Sequence, residues 1–430
     1  MAINNDSASL YDQKIVWLKQ NPSACAKPFQ SLFLLPGQQG MRAIPCCNWR
    51  EDELEFGLQY SDLFQGIKQD ILENKTNRQC RVCTHSEKHN SVSERMRDTV
   101  NTLNENLEFN PHVDYARVTI KFSNFCNLAC RMCQPEFSSL LADILQQPAD
   151  SSFTQDITTD PVIWPVVQQY VIDMLEKHRF VEINLTGGET MVQPGLERLI
   201  EWLTSLNQDL SQRVILSATT NATKINQVFV DSISQFRKVF LNFSIDSVGT
   251  NYHYVRWPAQ FERVERTMQQ AVELKAGNPG TFNFNINLAV SLNNVFYIDD
   301  IAKYWYDWSQ ENQQHPDFSI MYLHHPEHMA VETIPQQYRS ELAKRCEHAL
   351  IIAQLSNAPE WNAFRTFIAG VYDFCKHNRS DNFQLWNQYL ESAADYDNRT
   401  DCKMSQHNSR LWELLSDSDQ AIYNNARKLT

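Results

Sequence analysis

Nowhere in these 430 residues does an apolar run approach the roughly 20 residues that a bilayer-spanning helix needs, so no membrane span is expected. The opening stretch MAINNDSASLYDQ lacks a basic segment followed by an apolar one, so no secretory signal is expected either. Internal repeats and low-complexity tracts are absent, which argues against a solenoid or a disordered chain. Net positive charge is missing too. The formal charge is −13, with the acids dispersed rather than in blocks, which argues against a phosphate-tracking face and so against nucleic acid as the default partner. With 42% apolar and 21% charged residues, the chain has the composition of an ordinary globular protein. A cytoplasmic setting is the expectation.

What the chain does have is cysteine, eleven in all and unevenly placed. Eight fall in the first third, at 25, 46, 47, 80, 83, 126, 130 and 133. In a reducing compartment such clustering points to metal ligation rather than disulfides. Cys346, Cys375 and Cys402 stand alone and are expected to be small buried hydrophobes.

From Tyr115 the sequence alternates strands with helices. YARVTIKF (115–122), VEINLT (181–186), RVILSATT (213–220), VFLNFSID (239–246), FNFNINLAVS (282–291) and FSIMYL (318–323) read as strands. Helical patterns lie between them, as in GLERLIEWLTSL and FERVERTMQQAVELK. Six such units imply an α/β fold, a parallel sheet curved into a partial (β/α)6 TIM-type barrel. The expected division is 1–110 as a small cysteine-rich domain, 111–335 as the barrel and 336–430 as a helical extension. Residues 145–160 read as an exposed insertion, and the tail aromatics Trp361, Phe364, Phe367, Tyr372 and Phe374 as core packing.

Parallel α/β barrels carry their chemistry at the C-terminal ends of the strands. The motifs fall there: CNLACRMC (126–133) after the first strand, TGGET after the second, TTNAT after the third and SIDSVG at the end of the fourth. Three cysteines without a nearby fourth cysteine or histidine leave a metal coordination position open, whereas structural sites close theirs. A zinc knuckle or a non-catalytic cluster is the bland alternative.

Over roughly 115–335 these residues resemble the radical SAM superfamily, whose Cx3CxΦC signature CNLACRMC fits with Met132 in the Φ position. The resemblance implies a [4Fe–4S] cluster on Cys126, Cys130 and Cys133 whose open iron takes S-adenosylmethionine, with these cysteines as the catalytic centre. It further implies cofactor-binding roles for Met132, Gly187, Gly188, Glu189, Asn221, Ser244, Asp246, Arg256 and Asn293. Gly187 and Gly188 would let the backbone approach the methionyl ammonium, which Glu189 complements in charge, and Arg256 would reach its carboxylate. Helix caps and turn polars account equally well for Asn221 and Asp246 taken singly. HHPEH at 324–328 reads as a rim loop rather than a metal cluster.

Cys25, Cys46, Cys80 and Cys83, with Cys47 as a substitute for Cys46, resemble the ligands of a twitch or SPASM-like module, which holds an auxiliary [4Fe–4S] cluster. Zinc on the same thiolates is the rival. Such modules ordinarily follow the barrel, whereas here the cysteines precede it. Peptide or protein modification with oxidation or cross-linking is the expected reaction, a small-molecule dehydrogenase or rearrangement enzyme the alternative, and a non-catalytic electron carrier the reading from another class. The resemblance also implies an electron donor such as flavodoxin or ferredoxin.

Overall fold

A computed structural model describes residues 10–37, 40–46, 54–55, 62–77, 80–88, 93–112, 114–147, 154–377 and 380–429. Nine strands form one sheet: β1 (Ser31–Gly37), β2 (Gly40–Ile44), β3 (Leu54–Glu55), β4 (Tyr115–Ile120), β5 (Phe180–Leu185), β6 (Val214–Thr220), β7 (Lys238–Ser244), β8 (Phe282–Val290) and β9 (Asp317–Tyr322). Their order is β3-β2-β1-β4-β5-β6-β7-β8-β9, with β4 to β9 parallel neighbours in chain order. All six expected barrel strands are present, each end within two residues of its expected limit.

Alternation in the sequence dictates which way each strand faces. Val181, Ile183 and Leu185 of β5 are fully buried, as are Val239, Leu241 and Phe243 of β7. Helix Ile163–Lys177 covers this face with Val167, Val171 and Leu175, spaced four apart. Helix Pro194–Ser205 begins on a proline and adds Leu196, Leu199, Ile200 and Leu203. Burial of this interlayer core is what holds the sheet against its helices.

The opposite face is polar, and it is concave. Two adjacent residues of helix Glu94–Thr99 show the curvature: Arg97 donates to Ser319 of β9 (3.3 Å), while Asp98 pairs with Arg117 of β4 (3.4 Å). Six strands of a flat sheet would hold those partners about 24 Å apart. Arg117 also binds Glu182 of β5 at 2.8 Å. The helix therefore sits inside the curve, near the N-terminal ends of the strands.

The N-terminal region is more closely joined to the barrel than its sequence suggests. β1 runs parallel to β4, with Ser31 opposite Arg117 and Leu34 opposite Ile120, and β2 returns antiparallel to it. At the other edge, β9 is covered by the tail. Phe318 packs on Trp361 and Phe364, and Tyr322 on Phe367 with ring centroids 4.4 Å apart. Trp361 and Phe364 are fully buried, as their aromatic spacing implied. Cys346, Cys375 and Cys402 are buried free thiols. Among the described residues no helix is long and apolar enough to cross a membrane.

Candidate active site

The segment after β4 carries Cys126, Cys130 and Cys133 without regular helix until Pro135–Phe137 and Ser139–Leu145. Its backbone is tied on two sides. Glu189 N–H donates to Phe125 O (2.9 Å), Ala129 N–H to Trp257 O (2.8 Å) and Arg131 N–H to Val255 O (3.0 Å). Ser138 ends the loop by capping the following helix, accepting from Leu141 N–H at 3.1 Å and donating to Leu128 O at 2.6 Å. Arg131, between two of the cysteines, is itself buried. It donates to Tyr254 O (2.7 Å) and Cys402 O (2.9 Å), pairs with the carboxylate of Asp397, and lies between the rings of Tyr254 and Tyr396. Tyr396 Oη donates to Ala129 O. The loop is thus bolted to the helical tail, and nothing in the local sequence signalled Arg131 or Asp397.

Burial pushes the Cys126 thiol up to about 12, and the Cys133 charge adds to it. Cys130 and Cys133 are also raised by burial, each partly countered by the Arg256 guanidinium. Thiols in mutual electrostatic reach that resist ionisation on their own need a cationic centre to become thiolates. Their three ligand atoms do not all lie within 4.8 Å of one another. One tetrahedral zinc would hold its sulfurs about 3.8 Å apart, so the wider spacing suits a multi-iron core better. The donor set fits a [4Fe–4S] cluster.

Gly187 and Gly188 have positive φ, +87° and +57°. A Cβ on Gly188 would stand 2.3 Å from Phe125 O, so glycine is what lets this turn touch the cysteine loop. Gln193 closes the turn, donating to Gly187 O at 2.8 Å and accepting from Ser123 at 3.0 Å. Glu189 is buried, and its carboxylate accepts from Met191 N–H (2.9 Å), Thr220 Oγ1 (2.7 Å) and Asn221 N–H (2.6 Å). Burial raises its pKa; those bonds oppose the rise. Asn221 in turn donates to Asn127 of the cysteine loop at 2.8 Å. The ends of β4, β5 and β6 are stitched together in this way.

Buried Asp246 and half-buried Arg256 form an ion pair through Nε (2.7 Å) and NH2 (2.5 Å), and the remaining NH1 points at Cys130 Sγ, 3.6 Å away. Asp246 also accepts from Ala289 N–H at 2.8 Å. Two nitrogens of Arg256 are therefore engaged by Asp246, and NH1 is the one left to meet another group. Ser244 is half-buried on the concave face opposite Asn287. Asn293 faces the tail, accepting from Tyr389 Oη at 3.2 Å; its neighbour Asn294 does the stitching near the site, donating to Asp246 O at 2.6 Å. Met132 is half-buried in the loop.

Neutral polar side chains line much of the concave face. Asn184 donates to Thr119 (3.3 Å), Asn242 to Ser217 (3.0 Å) and Asn285 to Asn287 (3.1 Å).

Cys25, Cys46, Cys80 and Cys83 line one cavity together with Ile67 and Ile71. Burial raises Cys25 and Cys80, and charge among these thiols adds to both; Arg95 opposes it at Cys80. No three of these sulfurs lie within 4.8 Å of one another. Arg95 is anchored by Glu87 (2.7 Å) and by Ala24 O (2.6 Å) beside Cys25. Cys47 lies outside the described residues. The histidines of 324–328 form no ligand cluster among the described residues.

A half-barrel with a three-thiol loop at the C-terminal ends of its strands defines a class, and residues 120–287 match the Radical SAM superfamily. This part of the chain belongs to that superfamily. The chain is 25% identical over 161 residues to a GTP 3',8-cyclase of Rippkaea orientalis, covering 36% of this chain and 43% of that protein. It is 32% identical over 109 residues to a GTP 3',8-cyclase of Trichormus variabilis (25% and 27%). It thus spans less than half the length of these curated relatives. Similar solved structures include native anSMEcpe with bound AdoMet (16% identity, TM-score 0.37, 66% of this chain and 60% of that one). Streptococcus suis SuiB bound to S-adenosylmethionine is another (17%, 0.33, 61% and 46%).

Proposed function

We propose that this chain is a radical enzyme that uses S-adenosylmethionine to take a hydrogen atom from a peptide or protein substrate held over the concave face. The observation that carries the reading is three clustered thiols, with no fourth in their loop, at the mouth of a curved sheet. Cys126, Cys130 and Cys133 would hold a [4Fe–4S] cluster, which when bound would supply the electron for reductive cleavage of the sulfonium.

The chain's own residues do the rest. Gly187 and Gly188 bring backbone to the edge of the cysteine loop, and Glu189 sets a buried carboxylate at the ends of β5 and β6. Arg256 NH1 offers one guanidinium edge beside Cys130 for a carboxylate of the cosubstrate. Asn221, Ser244 and Asp246 belong to the same rim, Asp246 by holding Arg256 in place and Met132 by filling the loop, whereas Asn293 turns to the tail. Carboxamides both donate and accept, which suits the amide groups of a peptide.

A second reading, a small-molecule substrate, draws on the relatives named GTP 3',8-cyclase. Polyphosphate fits poorly on the concave face, where Arg97 and Arg117 are already engaged by Glu94, Asp98 and Glu182. Cys25, Cys46, Cys80 and Cys83 share one cavity and would hold an auxiliary cluster, with zinc on the same thiolates as the rival. Full ligation by four thiolates supplies an electron acceptor rather than a substrate site. An external donor such as flavodoxin or ferredoxin would feed the first cluster.

The test is anaerobic incubation of reduced protein and S-adenosylmethionine with deuterated peptides or, separately, deuterated nucleotides. Deuterium in 5′-deoxyadenosine from a peptide supports the proposal; label from nucleotide alone replaces it with the second reading.

A further inference from the structure

We propose that His253, Cys402 and His407 form a separate site for one divalent zinc-like ion, which clamps the C-terminal segment to the barrel. Their ligand atoms all lie within 4.8 Å of one another, the one such trio among the described residues. Tetrahedral zinc would draw two imidazole nitrogens and a thiolate to about 3.4–3.6 Å, so a small adjustment closes the site. Donors of one sulfur and two nitrogens, with no carboxylate, select zinc over magnesium or calcium.

The three residues come from different elements. His253 lies in helix Gly249–Val255, Cys402 follows helix Phe383–Thr400, and His407 ends helix Met404–His407. Each is fixed before any ion arrives. His253 Nδ1 is 3.1 Å from Ala259 O, which leaves Nε2 for a metal. The imidazole rings of His253 and His407 have centroids 5.0 Å apart. His407 Nδ1 is buried without a hydrogen-bond partner, an orphaned lone pair of the kind native proteins seldom leave. Asn251 holds the His407 backbone at 3.2 Å, and Arg131 holds Cys402 O at 2.9 Å.

That last bond gives the site its consequence. Arg131 sits between Cys130 and Cys133, so an ion on Cys402 stiffens the segment that secures the cysteine loop from behind. Three protein ligands leave a fourth position for water. The ion's role is to fasten the tail, and the site stands whatever the substrate of the barrel proves to be.

Cobalt(II) is the probe, because thiolate ligation gives it an intense visible absorption. Iron-loaded full-length protein titrated with Co2+ is expected to develop that band at one equivalent, and Cys402→Ser and His407→Ala are each expected to lose it while keeping their iron. A band of undiminished strength in both variants overturns the proposal. So does a wild-type chain that develops none, a result that depends on no variant folding.

Discussion

Gly188 has no room for a side chain and sits in a backbone region that favours glycine. Gly188→Ala is expected to cost at least about 1–2 kcal/mol from the left-handed backbone alone, with the approach to Phe125 O adding to it. Urea unfolding of the apoprotein checks this, and an unchanged midpoint contradicts it. Asp246 is the other residue on which the site turns. Asp246→Asn leaves the part-buried Arg256 guanidinium without its counter-charge, with an expected loss of about 2–3 kcal/mol by the same measurement. At this scale the sequence was informative about identity and much less so about contacts. CNLACRMC and GGE announced themselves by spacing, but the partner of Arg256 is ten residues away and that of Arg131 is 266 away. Asn293 carried the expectation while Asn294 makes the bond, since both are asparagines after β8 and only packing distinguishes them.

Among the elements, period-two alternation made the barrel strands legible: FNFNINLAV buries every other residue along β8. β1 and β2 were not, because a strand that ends in Pro-Gly without clear alternation owes its place to pairing with β4. The tail helices were readable from the sequence, though not that they cover the edge strand β9. One of them carries a pH signature. Burial pushes Cys375, in helix Asn362–Lys376, up to about 12, whereas an unfolded thiol ionises near 9. Folding favours the neutral thiol, so its contribution is whole below pH 9 and is lost progressively as pH rises towards 12. The stability difference between wild type and Cys375→Ala is expected to shrink over that interval; a constant difference contradicts the assignment.

At the scale of the whole molecule, three regions meet around one loop. The N-terminal residues extend the sheet and plug its concave side, the barrel presents the cysteines, and the tail supplies Asp397, Tyr396 and Cys402 to Arg131. Deleting 336–430 strips that guanidinium of Asp397, Tyr396 and Cys402 and uncovers it, and the truncated chain is expected to lose most of its iron; normal iron content contradicts the coupling. Cys80→Ala with Cys83→Ala is expected to abolish turnover of a substrate while leaving 5′-deoxyadenosine formation intact, as measured by chromatography of both products.

That double variant also isolates the central claim, a cluster with an iron the polypeptide leaves unligated. Its reduced form is expected to hold iron on Cys126, Cys130 and Cys133 alone, so its electron paramagnetic resonance spectrum would report that centre. Adding S-adenosylmethionine is predicted to shift the g-values, because the amino and carboxylate groups bind iron directly. A spectrum unchanged by saturating S-adenosylmethionine contradicts the account.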